Sequence, residues 1–570
     1  MKFALPVFSK HQKPGFFLPL FFLAFFLCAC NGNKPSLDKS VAKKEIVSTP
    51  QEINVRAEDL IKNTLEGILQ DPSKMPDSLR IRNASLLHDL YGKNDFGLFW
   101  SSQGNFTKEA DSLFTLIDSC RYYGLFPSDY YADPLKRLRL ALSKDTARDT
   151  KLDAAKWAYA DMLSTSAFVQ LVKDLKFGRL QPDSIMVKDT SLRADFFRKQ
   201  KDSFASASID EFTASLEPAN KDYRSLKVAL RKFLPKAKFR NYTYIKTKDS
   251  LLLKKLVYKR LSEEDSLKIL PNKNPDSTAL ATAIKKYQHA KKIKEDGKLS
   301  PELVSRLNST EKEKFIRVAI TLDKYKRLQP LPAEYLWVNL PSYYLELRDS
   351  DSVVLRSKIV CGKPETKTPQ LTSAVSNMVT YPQWTIPESI IKKEILPGLQ
   401  RNPGYTQRKG YSIVDQNGNE VSPYSVNWAK YKKSIPYKVV QGSGDVNALG
   451  VMKFNFANEY DVYLHDTNQR YLFEKSGRAL SHGCVRVQKW RELALYLLRR
   501  DSLADSTKYT PVDSLDSWLA QKTKKYIRVH QPLPLFIRYF TAEGKDGKLL
   551  LHEDVYEEDK RLREKYFAGK

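Results

Sequence analysis

The stretch Ser481-His482-Gly483-Cys484-Val485-Arg486 places a cysteine among small and polar residues, and His465 lies nineteen positions before that cysteine. A thiol is a good nucleophile only as the thiolate, and a nearby imidazole is the usual acceptor of its proton. A lone histidine or cysteine is more often structural. The two together predict an acyl-transfer site in which Cys484 is the nucleophile and His465 is the base.

The residues ahead of the histidine predict a strand. Glu459-Tyr460-Asp461-Val462-Tyr463-Leu464 alternates polar and apolar side chains, which is typical of a strand buried on one face. We expect this strand to deliver His465 at its end.

An upstream His followed by Ser-His-Gly-Cys resembles the catalytic domain of L,D-transpeptidases of the YkuD type. Other thiol enzymes fit less well. In papain-like and NlpC/P60-like peptidases the cysteine precedes its histidine, and sortases carry Thr-Leu-x-Thr-Cys at the strand end. The resemblance implies a cysteine acyltransferase that acts on peptidoglycan stem peptides, needs no cofactor and is acylated by carbapenem-type inhibitors at Cys484.

The resemblance also implies roles for neighbouring residues, with the backbone carbonyl at Asp466 orienting the ring of His465. The supporting and oxyanion positions are Ser481, His482, Gly483 and Asp466. The substrate-binding positions are Arg486, Tyr463, Asn447 and Lys453.

Two of these residues have alternative roles. His482 lies two residues before Cys484, so on an extended strand both side chains point the same way and contact is geometrically feasible. The resemblance nevertheless favours His482 as a supporting donor and not as the base. Arg486 either pairs with a carboxylate of the stem peptide or braces the pocket.

The implied reaction releases the terminal D-alanine of a tetrapeptide stem and leaves a thioester on Cys484. Attack by the amine of a diamino acid on a second stem gives a 3→3 cross-link. Attack by water instead gives an L,D-carboxypeptidase. A catalytically silent, wall-binding lipoprotein scaffold is the non-enzymatic alternative.

The N-terminus predicts export. Three lysines precede an apolar run over residues 16–29, which is shorter than the ~20 residues that span a bilayer, so a signal peptide is expected. Leu27-Cys28-Ala29-Cys30 resembles a lipobox, which implies that Cys30 is lipidated and anchors the protein to a membrane facing the periplasm, with the outer membrane favoured. A plain secretory signal is the alternative. Polar residues 31–54 predict a flexible tether.

The net charge of +29 excludes little by itself. Nucleic acid is a common partner of basic chains, but the lysines are scattered and form no nucleic-acid-binding motif, so no nucleic-acid partner is predicted. A cell wall or an anionic membrane fits the charge equally well.

Cysteines and histidines predict neither a disulfide framework nor a metal site. Beyond the signal segment only Cys120, Cys361 and Cys484 remain, and a bridge between the first two stays open. The other histidines are isolated and are expected to be structural: His88, His289, His530 and His552.

A chain of 570 residues predicts two to four domains. Residues 55–245 show helical periodicity, with Thr107 as an N-cap and a long helix over 154–177 that ends at Gly178. Tyr123-Gly124-Leu125-Phe126-Pro127 and Phe177-Gly178-Arg179-Leu180 resemble the helical scaffold domain of the larger Gram-negative L,D-transpeptidases.

Residues 246–312 form a small module with Pro301 opening a helix after Ser300. Tyr287-Gln288, Asp296-Gly297 and Leu307-Asn308 resemble a three-helix peptidoglycan-binding domain. An ordinary helical linker is the alternative.

Residues 313–560 carry β-rich runs, a hairpin signal at Asn417-Gly418 and a helix near 489–499. They predict a mostly antiparallel β catalytic domain. Within it, a lysine- and aromatic-rich insertion at about 385–446 resembles the family's capping subdomain. The fold class is therefore α+β and multidomain.

Overall fold

The computed structural model describes residues 44–71, 81–143, 152–180, 194–350, 352–504 and 510–568. The signal peptide, Cys30 and most of the tether lie outside these ranges. None of the described helices combines the length and apolar composition that a bilayer crossing requires.

The N-terminal part is a helical domain built around one central helix. Its helices are α1 Pro50–Gln70, α2 Ala84–Gly92, α3 Lys108–Ser119, α4 Ala132–Ser143, α5 Ala154–Phe177, α6 Ala194–Ser206, α7 Ile209–Leu216 and α8 Lys221–Phe233, with a small hairpin of β1 Ser101–Ser102 and β2 Asn105–Phe106. Helix α5 is buried on nearly all sides because α1, α2 and α4 pack around it. The N-cap at Thr107 and the bounds of α5 are as predicted.

A small module of three helices follows: α9 Ser250–Ser262, α10 Ser277–Ala290 and α11 Pro301–Asn308. Apolar side chains of all three form its own core. The amide of Gln288 donates to Asp296 Oδ1 (2.8 Å) and accepts from the Gly297 N–H (2.8 Å). Two of the sequence phrases that marked this module are therefore in direct contact.

The C-terminal domain is a nine-stranded sheet that closes on itself. Its strands are β3 Glu334–Asn339, β4 Tyr344–Asp349, β5 Ser352–Gly362, β6 Leu371–Thr380, β10 Met452–Phe456, β11 Leu464–His465, β12 Ala479–Ser481, β13 Val485–Val487 and β14 Lys525–Arg538. They run in the order β12-β5-β13-β11-β10-β6-β14-β3-β4, and β4 pairs back onto β5. Three pairings are parallel (β11–β13, β12–β5 and β14–β3) and the others are antiparallel, which confirms a mostly antiparallel fold.

Helices cover this sheet on two sides. On one side α16 Trp490–Ala504 and α17 Val512–Ala520 pack against the strands. On the other side lie α12 Glu311–Lys326, the hairpin of β15 Ala542–Lys545 and β16 Lys548–Leu551, and α18 Glu558–Tyr566. Side chains of α8, α12, β3, β14 and Phe567, which follows α18, share one apolar cluster. The last scaffold helix is thus packed into the same core as the catalytic sheet.

The insertion between β6 and β10 folds as a unit that we call the cap, residues 384–441. It contains β7 Trp384–Thr385, α13 Glu388–Ile390, the π-helix Ile391–Ile395, α14 Leu396–Arg401, α15 Tyr405–Arg408, β8 Tyr411–Val414 and β9 Lys438–Gln441. The strands form a sheet in the order β7-β9-β8 over a core of isoleucine, leucine and tryptophan side chains. The hairpin expected at Asn417-Gly418 is only a tight turn, which closes a single bridge between Val414 and Glu420.

Candidate active site

The two predicted catalytic residues belong to neighbouring parallel strands: His465 ends β11, and Cys484 directly precedes β13. Strand β11 pairs with β13 so that His465 is level with Arg486, and the Val485 N–H donates to the Tyr463 carbonyl (3.1 Å). Side chains alternate along a strand, and partners in register share a face. The side chains of Tyr463, His465, Cys484 and Arg486 therefore belong to one face.

The strand ahead of His465 is shorter than the sequence predicted. The side-chain oxygen of Asn458 accepts from the N–H groups of Tyr460 and Val462 (3.0 Å each), and Asp461 has a left-handed backbone (φ 54°). Such a side-chain turn competes with strand pairing. Residues 459–463 are consequently a loop, and this loop brings the Asp461 carbonyl within 3.8 Å of Cys484 Sγ.

Cys484 is partly exposed at this face. Burial of the thiol raises its pKa above the ordinary value of 9.0, while Tyr463, Lys453 and Arg486 oppose that rise. Lys453 Nζ lies 4.0 Å from the centre of the Tyr463 ring, and burial lowers the pKa of this lysine. The thiol is therefore protonated at neutral pH and needs a base to become a nucleophile.

His465 is suited to be that base. Burial, with a smaller contribution from the Arg486 charge, lowers the pKa of its imidazole to about 3, while backbone groups of Asp466 and Leu449 oppose the change. The ring is thus neutral at physiological pH. Its Nδ1 is buried and makes no hydrogen bond of normal geometry within the described part of the chain. No hydrogen bond joins the ring to Cys484 there either, as is common before substrate binds.

Residues 481–484 form a tight turn held from two sides. The Ser481 hydroxyl donates to the Cys484 carbonyl (2.6 Å) and accepts from the Gly483 N–H (3.2 Å). Gly483 has φ 129°, which side-chain-bearing residues rarely adopt. Because Ser481 occupies the Gly483 N–H, that group is not free to serve as an oxyanion donor, contrary to one part of the expectation.

The other side of the turn is held by Thr368, which sequence reasoning missed. Its hydroxyl donates to the Gly483 carbonyl (2.7 Å) and accepts from the Gly362 N–H (2.9 Å). A trans peptide is planar, so the Cys484 N–H points away from Thr368. This N–H makes no hydrogen bond among the described residues, and it is the donor left for an oxyanion.

Tyr556 extends this support and was also missed. Its hydroxyl donates to the Gly362 carbonyl (2.6 Å) and accepts from the Thr368 N–H (3.2 Å). Gly362 has no room for a side chain, since a Cβ there would lie 2.1 Å from the Thr366 carbonyl oxygen.

Comparison with known families covers both halves of the chain. Residues 333–513 match the L,D-transpeptidase catalytic domain, YkuD, and residues 85–230 match the Scaffold domain. The chain contains a YkuD L,D-transpeptidase catalytic domain preceded by a Scaffold domain. Both His465 and Cys484 lie inside the YkuD match.

The chain is 34% identical over 255 residues, or 44% of its length, to a Haemophilus influenzae protein. That protein's own assignment as an L,D-transpeptidase is inferred. The chain spans about half (50%) of the length of that curated relative. Among solved structures, an L,D-transpeptidase from Mycobacterium smegmatis shares 11% identity over 36% of this chain and 58% of its own, with a TM-score of 0.18. A Cys-to-Ser mutant of the Enterococcus faecium L,D-transpeptidase shares 14% identity over 36% and 50%, with a TM-score of 0.14.

Within the YkuD domain, the side chains of Asp466 and Asn447 hold neighbouring segments of the chain together by hydrogen bonds. Asp466 Oδ2 accepts from the Val451 N–H (3.1 Å) and from Arg470 (3.2 Å). Asn447 is fully buried, and its side-chain amide donates to three backbone carbonyls, with the closest at Gly442 (2.8 Å). Asn447 was predicted to bind substrate, but none of its atoms is exposed for such a contact.

His482 is directed away from the nucleophile. Its Nε2 lies 2.5 Å from Oε1 of Glu394, which belongs to the π-helix of the cap. An extended strand would have allowed contact between His482 and Cys484, but β12 ends at Ser481 and Gly483 has φ 129°. His482 therefore connects the nucleophile turn of the YkuD domain to the cap.

Arg486 is half-buried and serves partly as a brace. Its guanidinium donates to Thr467 Oγ1 (3.2 Å) and Gln469 Oε1 (2.8 Å). Its Nε is buried and unpaired within the described ranges. These hydrogen bonds support a bracing role for Arg486. Its role in substrate binding stays a prediction.

The remaining cysteines are buried in two separate hydrophobic cores. Cys120 and Cys361 are both buried free thiols, in the scaffold core and in the sheet core respectively, so no bridge joins them. Burial raises the pKa of the Cys361 thiol to about 11, which makes it inert. Across the described ranges, no group of three or more His, Cys, Asp and Glu side chains could hold a metal ion.

Proposed function

We propose that the YkuD domain is an L,D-transpeptidase that forms 3→3 cross-links in peptidoglycan through a thioester on Cys484. The observation that supports this most is the placement of the Cys484 thiol and a neutral, buried His465 imidazole on one face of two parallel strands. The match of this region to the L,D-transpeptidase catalytic domain supports it independently.

In the first half-reaction the donor is a tetrapeptide stem. His465 takes the proton of Cys484 as the sulfur attacks the carbonyl carbon of the third residue. The Cys484 N–H stabilises the oxyanion, and one such donor contributes ~3 kcal/mol in related acyl transfers. The carbon–nitrogen bond to the terminal D-alanine then breaks, and His465 returns the proton to the leaving amine. A thioester remains.

In the second half-reaction the side-chain amine of a diamino acid on another stem attacks the thioester. His465 accepts the amine proton, the carbon–sulfur bond breaks, and the proton passes to the departing thiolate, which restores the resting enzyme. Water in place of the amine gives the tripeptide and an L,D-carboxypeptidase.

Two cations beside the thiol suit an anionic substrate. Lys453 and Arg486 both act electrostatically on Cys484. We propose that they, together with the Tyr463 side chain, bind carboxylates of the stem peptide. The same proposal includes export by the predicted signal peptide, lipid anchoring at Cys30, an envelope location facing the periplasm, and peptidoglycan contact through residues 246–312.

The test is incubation of the purified protein with disaccharide tetrapeptide, followed by mass spectrometry of the products. A 3→3 dimer with release of D-alanine, both lost in Cys484→Ser, is the expected result. Tripeptide without dimer identifies the carboxypeptidase. Absence of both products, with no carbapenem adduct on Cys484, overturns the proposal in favour of a silent scaffold.

A further inference from the structure

One contact joins the cap to the turn that holds the nucleophile. Glu394 Oε1 and His482 Nε2 are 2.5 Å apart, although the two residues are 88 positions apart in the chain. Both side chains remain partly exposed, at 45% and 34% respectively. His482 is not required by the acyl-transfer chemistry, so this contact needs another explanation.

Both partners of this contact stand on fixed supports. Ile391 and Ile395, in the same π-helix as Glu394, are buried in the core of the cap. Residue Gly483, next to His482, is tied by Ser481 and by the hydroxyl of Thr368. A π-helix is a local irregularity that occurs often at functional sites. The contact between Glu394 and His482 therefore connects two anchored elements and fixes their separation.

An exposed polar contact adds little to overall stability, so the main effect of the Glu394–His482 contact is on the position of the cap.

We propose that the Glu394–His482 contact holds the cap against the nucleophile turn and limits access of water to the thioester. Glu394 is then a positioning residue that sets how the thioester divides between attack by the amine acceptor and hydrolysis. This inference rests on the proposed function. It predicts that the first half-reaction is little changed when the contact is lost, because His465 and the Cys484 N–H do not touch Glu394.

The first measurement is the ratio of dimer to tripeptide from tetrapeptide. Glu394→Ala and His482→Gln are each expected to lower this ratio by about fivefold, the net contribution of one hydrogen bond, with carbapenem acylation of Cys484 changed far less. The double variant is expected to be no worse than either single one. Glu388→Gln, an exposed cap carboxylate without an ion pair in the described structure, is the matched control and leaves the ratio unchanged.

The second measurement is amide hydrogen exchange of residues 384–441 without substrate. Faster exchange in Glu394→Ala and His482→Gln, but not in Glu388→Gln, supports the contact. Unchanged exchange in all three variants overturns the contact, and faster exchange with an unchanged product ratio overturns its role in partition. If the wild-type protein transfers no acyl group, the proposed function fails, and with it the partition role, while exchange still decides whether the contact holds the cap.

Discussion

The hydroxyl of Thr368 donates a 2.7 Å hydrogen bond to the carbonyl of Gly483, the residue directly before the nucleophile. Through the planar peptide that follows, this bond sets the direction of the Cys484 N–H. Thr368 lies on the loop after β5, so the oxyanion donor is aimed by a part of the chain 115 residues away from Gly483.

Thr368→Val keeps the side-chain shape but removes the hydroxyl. We expect Cys484 acylation by a carbapenem to slow by about tenfold, and the free energy of unfolding to fall by roughly 1–3 kcal/mol because the buried Gly362 N–H loses its acceptor. Thr368→Ser keeps the hydroxyl and should restore most of the rate. Equal rates for the valine and serine variants would show that the bond does not orient the donor.

His465→Ala is expected to abolish acylation, with a loss of at least about 10²-fold, since the neutral imidazole is the proton acceptor. His482→Ala should only weaken acylation because its ring contacts Glu394 and not the thiol. Stopped-flow acylation of both variants gives the comparison, with His530→Ala as an exposed-histidine control. Equal losses for His465→Ala and His482→Ala would contradict the assignment of the base.

The resting thiol should react slowly with iodoacetamide at neutral pH. Burial raises the pKa of Cys484 above 9.0, and the low pKa of His465, about 3, rules out a stored imidazolium as its counter-ion. The alkylation rate should keep rising with pH past pH 9 without levelling off, and it should be lost in Cys484→Ser. A plateau of reactivity below pH 7 would instead indicate a preformed thiolate–imidazolium pair.

His465 should also make stability depend on pH. Its folded-state pKa of about 3 lies below the ordinary 6.5, so between these values the unfolded chain binds more protons and stability falls as pH falls. From pH 6.5 to pH 5 the loss from this group is about 2 kcal/mol. Denaturant unfolding of the wild type and of His465→Gln isolates the contribution of His465 to the free energy of unfolding. Burial raises the pKa of Asp174 to about 6, which gives a pH dependence in the opposite direction, but this is the same in both proteins. Parallel pH profiles would refute it.

Gly450→Ala should disturb the brace behind the catalytic histidine. Gly450 has φ 61°, and a Cβ there would lie 2.3 Å from Asp466 Oδ2. The left-handed backbone alone costs about 1–2 kcal/mol for alanine. We expect a lower melting temperature and slower acylation. Gly477→Ala, where a Cβ meets nothing within 4 Å, is the control and should match the wild type.

The sequence predicted the parts of the site that have local signatures. Cys484, Gly483 and His465 were recognisable from residue type and spacing, and α5 was recognisable from a long helical pattern that ends at Gly178. Side-chain bonds to distant carbonyls have no such signature, which is why Thr368 and Tyr556 were not found.

Two local patterns were outweighed by short-range competitors. The alternation over residues 459–464 predicted a strand, but the Asn458 side chain captures two backbone N–H groups that a strand would have used. The separation of His482 and Cys484 would allow contact on an extended strand, but β12 ends at Ser481 and Gly483 has φ 129°. The contact with Glu394 could not be foreseen because it depends on how the cap folds back onto the sheet.

The cluster shared by α8, α12 and β14 has a consequence for how this chain can be divided. Leu226 and Leu230 of α8 are buried against side chains such as Phe315 and Phe540, and Gly544 approaches the backbone of Ser225 so closely that a Cβ would meet its carbonyl oxygen at 2.1 Å. A fragment cut after the helical part would leave these apolar surfaces in water on both pieces. Unfolding of the helical part would therefore expose the apolar core of the C-terminal domain. The proposed acyl transfer requires a polypeptide that keeps α8.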